Sequence, residues 1–128
     1  MCHRQKFYIC ESCKNLIGLI EDGGVPLVCC GKEMLELVPG VVEASAEKHL
    51  PDVKMTGDTM QVQVGSVEHP MTEEHYIQFI YVETEHGGQR KCLKPGDAPY
   101  GEFQFVKDKP IAVYEYCNLH GLWKTEIK

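Results

Sequence analysis

The sequence contains no long hydrophobic run, and acidic residues outnumber basic ones. Among its 128 residues no stretch approaches the roughly 20 consecutive apolar residues that span a bilayer, and residues 1–6 lack the apolar segment of a signal peptide. The formal net charge is −6, which would attract neither nucleic acid nor an anionic membrane. We therefore expect a cytoplasmic protein with no nucleic acid and no membrane as partner, in which an anionic substrate requires a local positive patch.

Internal repeats, low-complexity tracts and long helical patterns are also absent from the sequence, and only Val42–Lys48 has a weak helical pattern. The segment Tyr76–Glu83 carries apolar residues on both faces, which is typical of a strand covered on both sides. Short segments of this kind, separated by glycine and proline turns, predict about seven strands in an antiparallel sandwich. The other segments are Met60–Val64, Glu102–Val106, Ile111–Tyr116 and Leu122–Ile127, with turns at 57–58, 87–88, 95–96 and 107–110.

Cysteine is abundant, with seven residues, which is an odd number. In a secreted chain this count would suggest a disulfide framework, but nothing in the sequence signals export. In a reducing cytoplasm, clustered cysteines are more often metal ligands. The cysteine count therefore predicts metal binding.

The first 37 residues form a compact unit of short predicted strands with two cysteine pairs, Cys10-x-x-Cys13 and Cys29-Cys30. Fewer than 40 residues seldom hold a fold by apolar burial alone, and four thiolates on one metal would supply the missing stabilisation. A zinc ribbon normally ends in a second Cys-x-x-Cys, so the adjacent pair leaves both iron and zinc open. Val38–Gly40 is the predicted linker, which gives domains 1–37 and 38–128.

Cys117 and His120 can point at one metal from a single turn, and a thiolate with an imidazole suits zinc, copper or iron. His49, His69 and His75 also lie in turn-like segments rather than in strand centres. A single histidine beside apolar residues is usually structural. Four histidines together with a cysteine instead predict a second metal centre.

The sequence resembles desulfoferrodoxin, the two-iron form of superoxide reductase, over nearly the whole chain. The motifs that carry the resemblance are Cys10-x-x-Cys13, Cys29-Cys30, Glu47-Lys-His49 with Pro51, His69-Pro-Met71, Glu74-His-Tyr-Ile77, Leu93-Lys-Pro-Gly96 and Cys117-Asn-x-His120-Gly. They occur in the order of that family and near its spacing, which together makes them specific.

The resemblance implies a mainly β chain with two iron ions. A small desulforedoxin-like N-terminal domain would hold one iron through four cysteines, with zinc possible in its place. An immunoglobulin-like antiparallel β-sandwich would hold the other iron through four histidines in a plane, with Cys117 as the axial thiolate and the opposite position open. The implied ligands are Cys10, Cys13, Cys29 and Cys30 in the first centre and His49, His69, His75, His120 and Cys117 in the second.

The implied activity is the one-electron reduction of superoxide to hydrogen peroxide, with a rubredoxin-like donor restoring the iron and a homodimer formed partly through the N-terminal domains. Glu47 would occupy the open position once the iron is oxidised and help to expel peroxide. Lys48 would attract superoxide and order a water that supplies a proton. The alternative for Glu47 and Lys48 is a solvated charge pair on a loop, but their attachment to His49 favours a function.

Two other functions remain open from the sequence: a non-catalytic iron electron carrier, and a zinc-stapled structural module that is redox-silent. We assign no metal to four further residues. His86 is predicted in an exposed hairpin turn, Cys92 as a small buried residue in a strand, and Cys2 and His3 in a frayed terminus. Phe7, Tyr8, Tyr114, Tyr116 and Trp123 are predicted to pack in the core or behind the metal ligands.

Overall fold

The computed structural model describes residues 4–41 and 44–128, and the chain divides into two compact units, Met1–Val38 and Pro39–Lys128. The prediction of a mainly β chain is confirmed. Strands of the first unit are Lys6–Ile9 (β1), Leu16–Leu19 (β2), Val28–Cys29 (β3), Lys32–Glu33 (β4) and Leu35–Glu36 (β5). The second unit contains the helix Ala46–His49 (α1) and the strands Pro51–Thr56 (β6), Thr59–Val64 (β7), Ile77–Thr84 (β8), Gly87–Cys92 (β9), Tyr100–Gln104 (β10), Pro110–Cys117 (β11) and Gly121–Glu126 (β12).

The first unit is built from two small antiparallel sheets. One has the strand order β2-β1-β5, and the other is the hairpin of β3 and β4. Among residues 4–38, the buried apolar residues are Phe7 and Cys10, whereas Ile20, Val25 and Val28 are largely exposed. So few buried side chains leave most of the stabilisation of this unit to its cysteine cluster.

The second unit is a sandwich of two antiparallel sheets, with strand orders β10-β7-β6 and β12-β11-β8-β9. Strand β7 alternates as the sequence predicts, because Met60, Val62 and Val64 are buried and the glutamines between them are exposed. Strand β8 is buried on both faces, also as predicted. The core between the sheets consists of Met60, Val62, Val64, Ile77, Ile80, Val82, Leu93, Phe103, Phe105, Val113 and Cys117.

The sequence patterns did not predict β3, β4, β5 or β6, predicted β9 only at Cys92, and misplaced one turn and the helix. Strands β6 and β9 lie at sheet edges and are mostly exposed, so they show no alternating pattern that could reveal them. The turn predicted at Gly87 and Gly88 lies two residues earlier, at Glu85 and His86, because both glycines already belong to β9. The helix predicted from Val42 to Lys48 is the shorter α1; Val42 and Glu43 lie outside the described residues.

Candidate metal centres

The four cysteines of the first unit converge, with their sulfur atoms all within 4.8 Å of one another. Cys10 and Cys13 flank the turn after β1, and Cys29 ends β3. Cys30 and Gly31 form the tight turn between β3 and β4, and both have left-handed backbones, with φ of 53° and 74°. Asparagine or glycine is usual at such positions. A strained cysteine there allows two adjacent residues to turn toward one cluster.

Hydrogen bonds to sulfur arrange this cluster further. The backbone N–H of Cys13 lies 3.5 Å from Cys10 Sγ, and the Asn15 side chain donates to Cys29 Sγ at 3.7 Å. The Cys13 N–H lowers the pKa of Cys10 to about 6, whereas hydrogen bonding with the Cys13 thiol raises the pKa of Cys30 to about 12. The thiols therefore share protons that a soft cation would replace, and four thiolates fit iron or zinc.

One end of the sandwich collects the remaining predicted ligands. His49 ends α1 just before β6, His69 follows β7, and His75 precedes β8. Cys117 ends β11, and His120 lies in the turn to β12. Because β6, β8 and β12 begin where β7 and β11 end, residues that are distant in the sequence meet at this end. Donor atoms of His49, His69, His75 and Cys117 all lie within 4.8 Å of one another.

The four imidazole rings form a square. Neighbouring centroids are 4.6 Å apart for His49 and His69, 4.6 Å for His69 and His75, 5.0 Å for His75 and His120, and 4.9 Å for His120 and His49. Adjacent rings cross at 76–89°, whereas His49 and His75 lie across the diagonal, 6.4 Å apart at 28°. The structure therefore brings all four predicted histidines around one point.

Hydrogen bonds fix the tautomers of two of these rings. Nδ1 of His49 lies 2.7 Å from the carbonyl oxygen of Ser45, and Nδ1 of His69 lies 2.6 Å from that of Pro70. A carbonyl oxygen only accepts, so each Nδ1 carries the hydrogen and each neutral ring presents a bare Nε2 lone pair. These two Nε2 atoms are 3.1 Å apart. Such facing lone pairs repel unless a cation lies between them.

A metal ion fits this geometry. Two nitrogens that are each about 2.1 Å from one ion and at a right angle lie about 3.0 Å apart. Nε2 of His49 is 3.1 Å from Nε2 of His69 and 3.2 Å from Nδ1 of His120. The Nε2 atom of His75 is buried and has no hydrogen-bond partner among the described residues. An ion at the centre of the square would satisfy it.

Cys117 is the candidate sulfur donor of this centre, and none of its surface is exposed. Its Sγ lies 3.9 Å from Nδ1 of His120. Burial raises the pKa of the Cys117 thiol, whereas burial lowers the pKa of His49 and His75 and lowers that of His69 to about 4. Burial therefore favours the neutral, ligating form of these three imidazoles, and a cation bound by Cys117 would have to displace the thiol proton.

Glu47 and Lys48 are exposed residues of α1, directly before His49. The charge of Lys48 contributes to lowering the pKa of both His49 and His75, which places its ammonium group within electrostatic reach of the square. The Glu47 carbonyl accepts hydrogen bonds from the Val67 N–H at 2.9 Å and the Ser66 hydroxyl at 3.2 Å. Positive charge thus lies beside a centre in an otherwise acidic chain.

Three residues near the centre were assigned no functional role from the sequence. Gly65 packs so closely that an added Cβ would lie 2.5 Å from the Glu47 carbonyl oxygen. The Asn118 side chain forms hydrogen bonds with the backbone of Glu74 and Tyr76, on either side of His75. Trp123, which was predicted only to pack, stacks on the His49 ring. The position of Asn118 between two predicted ligands was the one available clue. A glycine close contact depends on tertiary structure and leaves no such clue.

The residues to which we assigned no metal have mixed outcomes. His86 is exposed, as predicted, and its ring lies 3.1 Å from Asp108. Cys92 lies in β9, but the prediction that it is buried is wrong, because β9 is an edge strand and the residue is exposed. Cys2 and His3 lie outside the described residues. Among the described residues, no helix is both long and apolar enough to cross a membrane.

Comparisons with known proteins identify the family of this chain. The model of the desulfoferrodoxin family matches residues 41–126. The chain is 44% identical over 126 residues to the desulfoferrodoxin of Syntrophotalea carbinolica, covering 98% of this chain and 99% of that relative. It is 35% identical over 101 residues to the superoxide reductase of Pyrococcus horikoshii, covering 64% of this chain and 87% of that protein. The crystal structure of the superoxide reductase from Treponema pallidum matches with a TM-score of 0.81 at 35% identity, covering 97% of this chain and 100% of that structure.

Proposed function

The chain belongs to the desulfoferrodoxin family, and on that premise we propose that it is a superoxide reductase. The reaction combines one superoxide, one electron and two protons to give one hydrogen peroxide. One observation carries the proposal: a square of four imidazoles with a buried cysteine converges at one end of the sandwich.

We propose that this centre holds iron through His49, His69, His75, His120 and Cys117. Iron bound there would supply the electron and a coordination position at which superoxide is reduced. The neutral imidazoles add no negative charge that would repel the anion. The Cys117 thiolate would donate electron density to a bound iron, as thiolate ligands do in some haem enzymes. Iron is the proposed metal of the Cys10, Cys13, Cys29 and Cys30 centre as well, and zinc also suits those four thiolates.

Lys48 and Glu47 are the proposed catalytic side chains beside the ligands. The Lys48 ammonium would attract superoxide from solution. It would also order a water molecule that supplies one of the protons of the hydrogen peroxide product. The Glu47 carboxylate would move toward the oxidised centre and help to displace the peroxide product. Both side chains are exposed on α1, and α1 ends at His49, which supports a position at the mouth of the centre.

The electron donor, the assembly and the location of the protein are further proposals. A small carrier such as rubredoxin would restore the electron. The exposed apolar residues Ile20, Val25 and Val28 support a homodimer formed partly through the first unit, since a small folded unit rarely leaves several such residues uncovered. The six cysteines of the described residues form no disulfide, which supports a reducing cytoplasm.

Turnover under control of the donor tests the proposal. The iron-loaded protein is mixed with a steady source of superoxide, with and without a reductant for the iron, and peroxide and oxygen are both measured. Each quantity is compared with the spontaneous dismutation measured without the protein. Above that background, a reductase adds peroxide only while the reductant lasts and adds no oxygen. Sustained extra superoxide loss without reductant would instead indicate a dismutase, and no extra loss in either case would indicate a non-catalytic carrier.

A further inference from the structure

The segment Cys117–Trp123 contains two ligands, and it also contains two side chains that contact other ligands. Cys117 and His120 are donors themselves. Asn118 and Trp123 reach residues that precede the segment by more than 40 positions in the sequence. These two side chains have no role in the chemistry proposed above.

Asn118 brackets His75 on both sides. Its Oδ1 accepts a hydrogen bond from the backbone N–H of Tyr76 at 2.9 Å, and its Nδ2 donates to the carbonyl oxygen of Glu74 at 3.0 Å. Its own backbone N–H donates to the carbonyl oxygen of Tyr76 at 3.2 Å. Since His75 lies between Glu74 and Tyr76, one amide side chain fixes the backbone immediately before and after this ligand.

Trp123 contacts two ligands at once. Its indole ring stacks on the His49 imidazole with centroids 5.0 Å apart and planes at 25°. Its Nε1–H donates to the carbonyl oxygen of His120 at 3.0 Å. The indole is almost wholly buried, with 6% of its surface exposed, so solvent does not compete for either contact. The plane of the His49 ring and the backbone of His120 are therefore fixed by the same side chain.

We propose that Asn118 and Trp123 are positioning residues, through which the segment Cys117–Trp123 orients four of the five donors. Cys117 and His120 belong to the segment, Asn118 fixes His75, and Trp123 fixes His49. His69 is the exception, because its Nδ1 is bonded to the neighbouring Pro70 carbonyl and its backbone N–H to that of Val64. The inference depends on the proposed function only in requiring that the five donors bind one metal ion.

The physical reason for such positioning lies in the requirements of a square of ligands. Each imidazole must direct one nitrogen at the same point, and the rings come from three separate parts of the chain: His49 from α1, His69 and His75 from the connection between β7 and β8, and His120 from the turn between β11 and β12. Residues that orient ligands typically change metal affinity by about 10–100-fold when mutated. Because the segment Cys117–Trp123 already contains two donors, its contacts with His75 and His49 hold those two rings in a fixed position relative to Cys117 and His120.

Zinc binding to the full-length chain tests the inference, with a chromophoric chelator as competitor. Asn118→Ala removes both side-chain hydrogen bonds around His75, and Trp123→Leu removes both contacts of the indole. Each is expected to weaken zinc binding at the histidine centre by about 10–100-fold. Trp123→Phe keeps an aromatic ring against His49 but lacks the N–H, so its affinity should lie between wild type and Trp123→Leu. Trp123→Phe also keeps the inference testable if Trp123→Leu does not fold, because phenylalanine retains an aromatic ring at this buried position.

Two controls accompany these variants. The cluster of Cys10, Cys13, Cys29 and Cys30 lies in the same chain, and its zinc affinity should not change in any variant. Leu119→Ala changes an exposed side chain of the same segment, which is 57% exposed, and should leave both affinities unchanged. Equal affinity of wild type, Asn118→Ala and Trp123→Phe for zinc at the histidine centre would overturn the inference.

A second measurement separates positioning from general loosening of the sandwich. In the zinc-loaded chain, the ¹⁵N shifts of the four imidazole rings report how each ring is bonded. Asn118→Ala should shift the His75 nitrogens and leave those of His49 in place, whereas Trp123→Phe should shift those of His120 and spare His75. Equal changes at all four rings in both variants would overturn the inference. If the wild-type chain bound zinc only through its cysteine cluster, both the proposed function and the inference would be contradicted. If the wild-type chain bound zinc at the histidine centre and the variants bound it equally well, only the inference would be contradicted.

Discussion

His49 and His69 face each other through their Nε2 atoms across 3.1 Å, while each Nδ1 is bonded to a backbone carbonyl oxygen. A shared proton could bridge the two nitrogens only if one ring became a cation. Burial lowers the pKa of both rings, which opposes that proton. The metal-free pair is therefore unfavourable near neutral pH, and a metal ion is the partner that the arrangement favours. The stability of the fold should then depend on both pH and metal.

The first prediction concerns the metal-free chain in acid. Burial places the pKa of His69 at about 4, below its ordinary value of 6.5, so the unfolded chain binds more protons between these two values. The free energy of unfolding should therefore decrease as the pH falls from 6.5 to 4. Urea unfolding of the metal-free protein across this range measures the decrease. His69→Gln should flatten the profile more than His86→Gln, which changes an exposed histidine; identical profiles for both variants would contradict this account.

The second prediction concerns electrostatic attraction by Lys48. Lys48→Ile removes the positive charge that acts on His49 and His75, so the second-order rate constant with superoxide should decrease by about tenfold at low ionic strength. Its dependence on salt should also become weaker. Pulse radiolysis at several salt concentrations measures both quantities.

Lys109→Ile is the matched control for the Lys48 variant, because Lys109 precedes the start of β11 whereas Cys117 lies at the opposite end of that strand. An eight-residue strand is about 25 Å long, well beyond the Debye length in physiological salt. The same change of net charge there should leave the rate constant unaltered. Equal rates for Lys48→Ile and wild type would remove the steering role.

The third prediction concerns the close contact at Gly65. A Cβ at this position would lie 2.5 Å from the carbonyl oxygen of Glu47 and 2.9 Å from the carbonyl carbon of Lys48, both backbone atoms that cannot rotate away. Gly65→Ala should displace α1, lower the free energy of unfolding by about 1–3 kcal/mol and weaken metal binding through His49. Gly23→Ala is the matched control, since a Cβ added there would meet nothing within 4 Å. Thermal unfolding that is unchanged in Gly65→Ala would show that the contact relaxes at no cost.

The fourth prediction concerns Glu115, whose side chain is buried and whose two carboxylate oxygens have no hydrogen-bond partner among the described residues. Burial raises its pKa well above the ordinary value of 4.5, so its effect on stability is favourable below pH 4.5 and is lost as the pH rises through the folded-state pKa. Glu115→Gln keeps the shape and cannot ionise. It should stabilise the protein by about 1–3 kcal/mol at pH 8 and little at pH 4, as measured by urea unfolding. A gain that is equal at both pH values would exclude ionisation as its cause.

The sequence revealed the sandwich where burial follows a simple period. Strand β7 alternates between buried Met60, Val62 and Val64 and exposed glutamines, so its residues show the pattern directly. Strands β6 and β9 have hydrogen-bonded neighbours on one side only and few buried residues, so hydrophobic pattern could not reveal them. The same edge position explains why Cys92, predicted to be buried, is exposed.

The candidate ligands that the structure brings together could be recognised in the sequence because metal chemistry restricts ligands to a few residue types in recognisable motifs. The residues that orient those ligands are less restricted. Asn118 and Trp123 act through hydrogen bonds and stacking with residues far away in the sequence, and many side chains could do the same. Gly65 matters because two backbone segments meet there. Relationships of this kind exist only in the folded chain.

The most direct test of the central claim is anomalous diffraction at the iron edge from crystals of the iron-loaded protein. The account predicts one iron within bonding distance of His49, His69, His75, His120 and Cys117, with a second bound by the four cysteines of the first unit. An iron at the sandwich end that lacks Cys117, or is held by fewer than four histidines, would contradict it.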